Sequence, residues 1–229
     1  MKIIAISGTP HKKIGASTTL VNQVFEGVKK AAPSAEFETI FLASKNIGYC
    51  TGCAHCLTKG DCTLKDDMNE ITGLMLAADG IIFSSPVYAF HVTAQMKTFV
   101  DRLIAYGHRP ALTGKYSLAV CVSSGWGDEA TAVYMSEILT GLGAVSVGTV
   151  RATALGPGMF RDKEAAFENA DRMGRQLAAA IIEKWNIPQS SIVNTFRGFL
   201  LGLIQEYPSI FSEDYRYWEE KGVLKKQSP

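Results

Sequence analysis

Five short apolar runs, each followed by a stretch with helical periodicity, constrain this chain more than any other feature. Residues 2–6 (KIIAI), 37–42, 80–84 (GIIFS), 116–122 and 144–150 read as strands. Residues 19–31, 66–78, 93–105, 128–142 and 162–185 repeat apolar positions every three or four residues and read as helices. Strands rich in Ile, Val and Ala that alternate with helices must run parallel, joined by crossovers and covered on both faces. The expected architecture is therefore a doubly wound α/β sheet of five strands. With 229 residues, 47% of them hydrophobic, the chain is long enough to bury a real core. A charged fraction of 20% excludes a disordered chain. Lys+Arg 23 against Asp+Glu 22 leaves +1, which provides no global field for nucleic acid or an anionic membrane.

Five strands suit the flavodoxin-like order at least as well as a longer dinucleotide sheet. Residues 1–186 form the expected α/β domain. Aromatic residues gather in 187–229, which reads as a helical extension rather than a second domain. Its helix over 192–207 carries Phe196, Phe199, Leu200, Leu203 and Ile204 on one face, followed by Tyr215, Tyr217 and Trp218. Such a face packs on its own subunit or forms an arm across a homodimer or homotetramer. The tightest apolar run, 199–204, is far too short to span a membrane. The apolar start runs at once into a Gly-Thr-Pro turn, so it reads as a first strand and predicts a cytoplasmic protein.

In a doubly wound sheet, ligands bind beyond the carboxyl ends of the strands. The first such end, SGTPHKKIGASTT (7–19), is neither a P-loop nor a G-x-G-x-x-G turn. It offers Thr9, Ser17, Thr18 and Thr19 around a helix N-terminus, a donor set suited to a monophosphate. Ser84-Ser85-Pro86-Val87-Tyr88 follows the third strand and Ser123-Ser124-Gly125-Trp126-Gly127 the fourth. A planar ring with a polar rim fits between these two loops, with a face on Tyr88 or Trp126. The candidate contacts are Ser7, Thr9, His11, Lys12, Gly15, Ser17, Thr18 and Thr19; Pro86, Val87 and Tyr88; and Ser123, Ser124, Gly125 and Trp126. No acid–base triad is visible, so any redox chemistry falls to a cofactor.

The motifs SGTPHKKIGAST, SSPVYAFHVTAQMKTFVDR and Ser-Ser-Gly resemble those of the NADPH-dependent FMN reductases, over about residues 1–180. The resemblance implies a flavodoxin-like fold, FMN held by these three loops, and NAD(P)H as a donor. This chain departs from the family pattern at His11, where Arg is common, at Ala16, where Asn is frequent, and at Trp126, where a further Gly is usual.

Cysteines at 50, 53, 56 and 62 crowd into an aperiodic segment, 46–63, with Gly52 and Gly60 as bends; the fifth, Cys121, lies in an apolar run and reads as core. Two successive C-x2-C steps aim three thiolates at one point, and a fourth five residues on closes the corner. The spacing favours a [4Fe–4S] cluster over zinc, with unligated thiols the remaining alternative. This segment is similar to the compact cysteine motif of the iron–sulfur flavoproteins, which implies that all four are ligands. His55, between two of them, reads as a residue that tunes or shields the site.

The expected function is an FMN oxidoreductase taking electrons from NAD(P)H or ferredoxin to a small-molecule or protein acceptor. A cluster-free NAD(P)H-dependent FMN or quinone reductase is the alternative enzyme. A flavodoxin-like carrier or a zinc-stapled binding module is the alternative of another class. His91 approaches the expected site, Lys97 and Asp101 form an i,i+4 pair, and Arg102 is placed to anchor a loop.

Overall fold

The computed structural model describes residues 1–188 and 190–224; Gln189 and residues 225–229 of the expected extension lie outside them. The elements are β1 (Lys2–Ser7), α1 (Ala16–Ala31), β2 (Glu36–Phe41), α2 (His55–Thr58), α3 (Met68–Ala77), β3 (Gly80–Pro86) and α4 (Ala94–Asp101). After these come α5 (Ile104–His108), β4 (Tyr116–Ser123), α6 (Asp128–Gly141), β5 (Val145–Thr153), α7 (Lys163–Glu183), α8 (Ser191–Glu206) and α9 (Ser212–Glu220). All five strands are parallel, in the order β2-β1-β3-β4-β5. This is the flavodoxin-like order, whose direction reverses between β1 and β3.

Strand pleating divides the core in two. Ile4, Ile6, Ile81 and Phe83 point into one layer with Met75, Met96, Phe99 and Met135 from α3, α4 and α6. Their neighbours Ile3, Ala5, Ile82 and Leu118 point the other way, against α1 and α7. Those two helices cross so closely that a methyl group at Gly27 or Gly174 would collide with the facing backbone, at Asp171 and Val24 respectively. The near-continuous burial of β1, β3 and β4 follows from their place inside a sheet covered on both faces.

Three local expectations need correction. The first helix starts at Ala16, so Ser17, Thr18 and Thr19 lie in its first turn. The helix expected over 93–105 breaks into α4 and α5. Its backbone tightens at the break, with Arg102 N–H bonded to Phe99 C=O and Leu103 N–H to Val100 C=O, three residues back. The cysteine segment contains the single turn α2. At the start of α3, Asp66 Oδ1 accepts from Met68 N–H, and Glu70 pairs with Lys45.

The extension folds back on its own chain. Val193, Leu200 and Ile204 are buried, while Phe196 and Phe199 on the same helix stay exposed. No described helix is long and apolar enough to cross a membrane.

Candidate functional site

The carboxyl ends of the strands gather their loops into a cleft of about 170 Å³. Thr9, His11, Gly15 and Ser17 line it from the β1 side; Pro86, Val87 and Tyr88 from β3; Ser123 and Ser124 from β4. Thr93 ties two of these loops together. Its hydroxyl donates to Gly8 C=O at 2.7 Å and accepts from Met96 N–H as the cap of α4, while its N–H donates to Ser85 Oγ. Gly8 has no room for a side chain, since a Cβ would stand 2.7 Å from the Thr93 hydroxyl.

Several features bear on what the cleft can hold. No side chain caps α1, so its first-turn N–H groups are available to an anion at the positive end of the helix. Gly15 leaves space that a Cβ would fill against Thr9 Oγ1 at 2.8 Å. Ser7 and Ser84 face each other across the β1–β3 switch, fully buried, their hydroxyls without a partner among the described residues. Gly125 (φ +120°) and Gly127 (φ +85°) give the β4 turn a backbone conformation that other residues rarely adopt.

Not every expected contact lies in the wall. Ser7 sits beneath the cleft. The Thr18 and Thr19 hydroxyls bond back to Lys12 C=O and Gly15 C=O, so they brace the loop. Lys12 and Trp126 project into solvent, the latter 77% exposed. Gly125 shapes the turn without lining the cleft. His91 packs edge-on to Tyr134, with ring centroids 4.5 Å apart, and closes a two-residue hairpin with Tyr88. The tip of that hairpin, Ala89-Phe90, holds two non-glycine residues at positive φ (46° and 70°). The fourth wall was missed from sequence. Ala154, Leu155, Gly156 and Pro157 follow β5, and the signal was the Gly-Pro-Gly turn at that strand end.

All four clustered cysteines line a second cleft, of about 110 Å³. Cys50 and Cys53 are exposed, Cys56 and Cys62 half-buried. Among the described residues no three His, Cys, Asp or Glu side chains close on the volume of a single ion. The four thiols share one cleft, so each is available to supply one corner ligand to a cubane. Bonds from the His55 backbone N–H and the Thr51 side chain hold the Cys53 thiol below its ordinary pKa. Burial, then the neighbouring Cys62, pushes Cys56 up, against the pull of Arg109.

Two arginines hold this loop. Arg102 donates through Nη1 to Asp66 Oδ2 (2.6 Å) and Gly48 C=O (2.7 Å), and through Nη2 to Cys62 Sγ (3.3 Å) and Asp66 Oδ1 (3.2 Å). Burial opposes charge on Asp66, but the bonds from Arg102 and from the Gly48 and Met68 N–H groups keep its carboxyl below the usual range. Arg109 donates to Cys56 C=O and Gly60 C=O. His55 Nε2 stands 3.4 Å from Asp61 Oδ1, turned to a surface carboxylate. Cys121 is fully buried in the core, away from the others.

The profile of the NADPH-dependent FMN reductases matches residues 1–156. An iron–sulfur flavoprotein of Archaeoglobus fulgidus is 37% identical, over 98% of this chain and 100% of its own length. Another, from Methanocaldococcus jannaschii, is 32% identical over 79% of this chain and 97% of its length. Among solved structures, an NAD(P)H:quinone oxidoreductase from Methanothermobacter marburgensis superposes with a TM-score of 0.61 at 18% identity, over 77% of this chain and 96% of that one. An NADH:FMN oxidoreductase in its apo form gives 0.59 at 17%, over 84% and 92%.

Proposed function

The chain belongs to the NADPH-dependent FMN reductase family, in its iron–sulfur flavoprotein branch, and on that premise we propose where a flavin oxidoreductase of this kind holds its cofactors. FMN occupies the cleft at the strand ends, phosphate toward Thr9, Gly15 and Ser17, ring between the β3, β4 and β5 loops. A [4Fe–4S] cluster sits on Cys50, Cys53, Cys56 and Cys62. The observation that supports this most is the pairing of an uncapped helix N-terminus with small-residue loops in one cleft, a short distance in sequence from four thiols in another.

When bound, the flavin supplies interchange between hydride and single-electron transfer and the cluster a one-electron step. The protein's own residues position these groups. The first turn of α1 binds the phosphate through N–H groups, and Thr18 and Thr19 keep that turn in place. The Ser123-Ser124 backbone would bond the rim of the ring, and Tyr88 and Leu155 would limit access to it. Arg102 donates to Cys62 Sγ and so fixes the direction of that side chain.

The donor is NAD(P)H or a ferredoxin, the acceptor a small molecule or a redox protein. Five free cysteines suit a reducing compartment, the cytoplasm. The exposed Phe196 and Phe199 support a homodimer or homotetramer that covers them, which sedimentation on the purified protein measures.

Anaerobic purification followed by flavin, iron and sulfide assays tests the assignment. One FMN and about four irons per chain are expected, and Cys53→Ser removes the iron while sparing the flavin. Flavin without iron after anaerobic iron and sulfide supplementation leaves a cluster-free reductase. A protein that takes up no FMN overturns the whole assignment. Turnover with NADH or NADPH is expected for at least one of the two.

A further inference from the structure

We propose that Asp214, on the last helix of the C-terminal extension, is a positioning residue of the cysteine centre, acting through Arg109 on the backbone at Cys56 and Gly60. The inference rests on the reading of that centre as a cluster site.

Asp214 is fully buried although it lies on the short terminal helix α9. Its Oδ1 accepts from Arg109 Nη1 at 2.6 Å, and its Oδ2 stands 2.7 Å from His108 Nδ1. The other end of the same guanidinium donates to Cys56 C=O at 3.0 Å and to Gly60 C=O at 3.3 Å. Those carbonyls bracket the chain between Cys56 and the Gly60 turn (φ +93°) that leads to Cys62. One planar fork, held at one side by a carboxylate, therefore sets the path between two candidate ligands.

The rest of α9 touches the same segment. Ser212 Oγ donates to Thr58 C=O at 3.0 Å, and a Cβ on Gly60 would meet the Glu213 side chain at 3.3 Å. Trp218 Nε1 donates to His108 C=O at 2.9 Å, which fixes the residue next to Arg109. The loop's other anchor, Arg102, finds its carboxylate in Asp66 within the α/β domain. Arg109 finds its own in the extension. Without Asp214 the half-buried Arg109 would lose the carboxylate that bonds its guanidinium, and the fork would leave the two carbonyls for water. The extension is thereby part of the metal centre's second layer of contacts, which ordinarily governs how firmly ligands hold.

The test compares full-length wild type with Asp214→Asn, Asp214→Glu and Arg109→Lys, reconstituted anaerobically with FMN, iron and sulfide. Amide hydrogen exchange over residues 56–60 is followed in the iron-free, FMN-bound proteins. Asp214→Asn is expected to keep its FMN, to lose iron to a chelator about tenfold faster or more, and to exchange faster at 56–60. It should also shift the cluster's midpoint potential while leaving the flavin's unchanged, and Asp214→Glu should restore part of each effect. Retained FMN with unaltered iron release and unaltered exchange overturns the proposal. Should Asp214→Asn lose FMN as well, Arg109→Lys decides: faster exchange at 56–60 with FMN retained supports the brace, and wild-type exchange there overturns it. A wild type that takes up no iron ends the cluster reading, while the exchange comparison still decides the brace.

Discussion

The Thr93 hydroxyl donates to the carbonyl oxygen of Gly8 at 2.7 Å, across 85 residues of sequence, and accepts from Met96 N–H in the same geometry. One side chain thus caps a helix and fastens the β1 loop, so the start of α4 and the proposed phosphate loop move as a unit. Thr93→Val deletes both bonds and leaves the buried Gly8 carbonyl without its donor. A loss of about 1–3 kcal/mol in stability is expected, read as a lower unfolding midpoint. FMN affinity should fall about tenfold in a fluorescence titration, and Thr93→Ser should stay near wild type.

Gly15→Ala probes the phosphate end alone. Its backbone (φ −72°, ψ 146°) accepts alanine, so the only conflict is the added methyl against Thr9 Oγ1. Affinity for FMN should drop while that for riboflavin, which lacks the phosphate, stays the same. Equal losses for both ligands would place the phosphate elsewhere.

The Arg102–Asp66 pair predicts an acid limit. Asp66 has its carboxyl held below the ordinary value of 3.8, so its contribution is present above that pH and lost as pH falls through the lower, folded value. Acid titration of the iron-free protein should loosen residues 46–63 in this window, seen as faster proteolysis. Asp66→Asn should show that looseness already at neutral pH, and Arg102→Gln should do the same with FMN retained.

Cys121 predicts an alkaline limit. Burial raises its thiol from 9.0 to about 12. Between those values the unfolded chain ionises and the folded one does not, so stability should decline by about 1.4 kcal/mol per pH unit above 9. Denaturant melts from pH 8 to 10 on Cys121→Ala and wild type should diverge by that slope. In native iron-free protein at pH 8, an alkylating reagent should label only Cys50, Cys53, Cys56 and Cys62, with Cys121 joining on unfolding.

What the sequence displayed was whatever repeats locally. The short apolar runs and the period-3.6 stretches between them located all five strands and their crossover helices, and the 50-53-56-62 spacing located the thiols that share one cleft. Turn chemistry at the ends of β1, β3 and β4 found three walls of the larger cleft; Leu155-Gly156-Pro157 carried the same signal but went unread. Other features have no local period. The Arg102 side chain at the helix break bonds Asp66 and Gly48, far back in the chain, and the buried Asp214 bonds Arg109, 105 residues away. Thr18 and Thr19 were read as ligand donors, yet a hydroxyl in a first helical turn also reaches a carbonyl in the preceding loop, and here both do.

Thr93 and Arg102 flank α4, eight residues of regular helix with a rise of about 12 Å, one anchoring the strand-end cleft and the other the cysteine loop. That helix acts as a ruler. Adding or deleting a residue in it would change the gap between the two clefts and rotate one about the other by roughly 100°. With FMN and a cluster held in the two clefts as proposed, electron transfer would depend on that gap, so related chains should conserve the length of α4 more strictly than its composition.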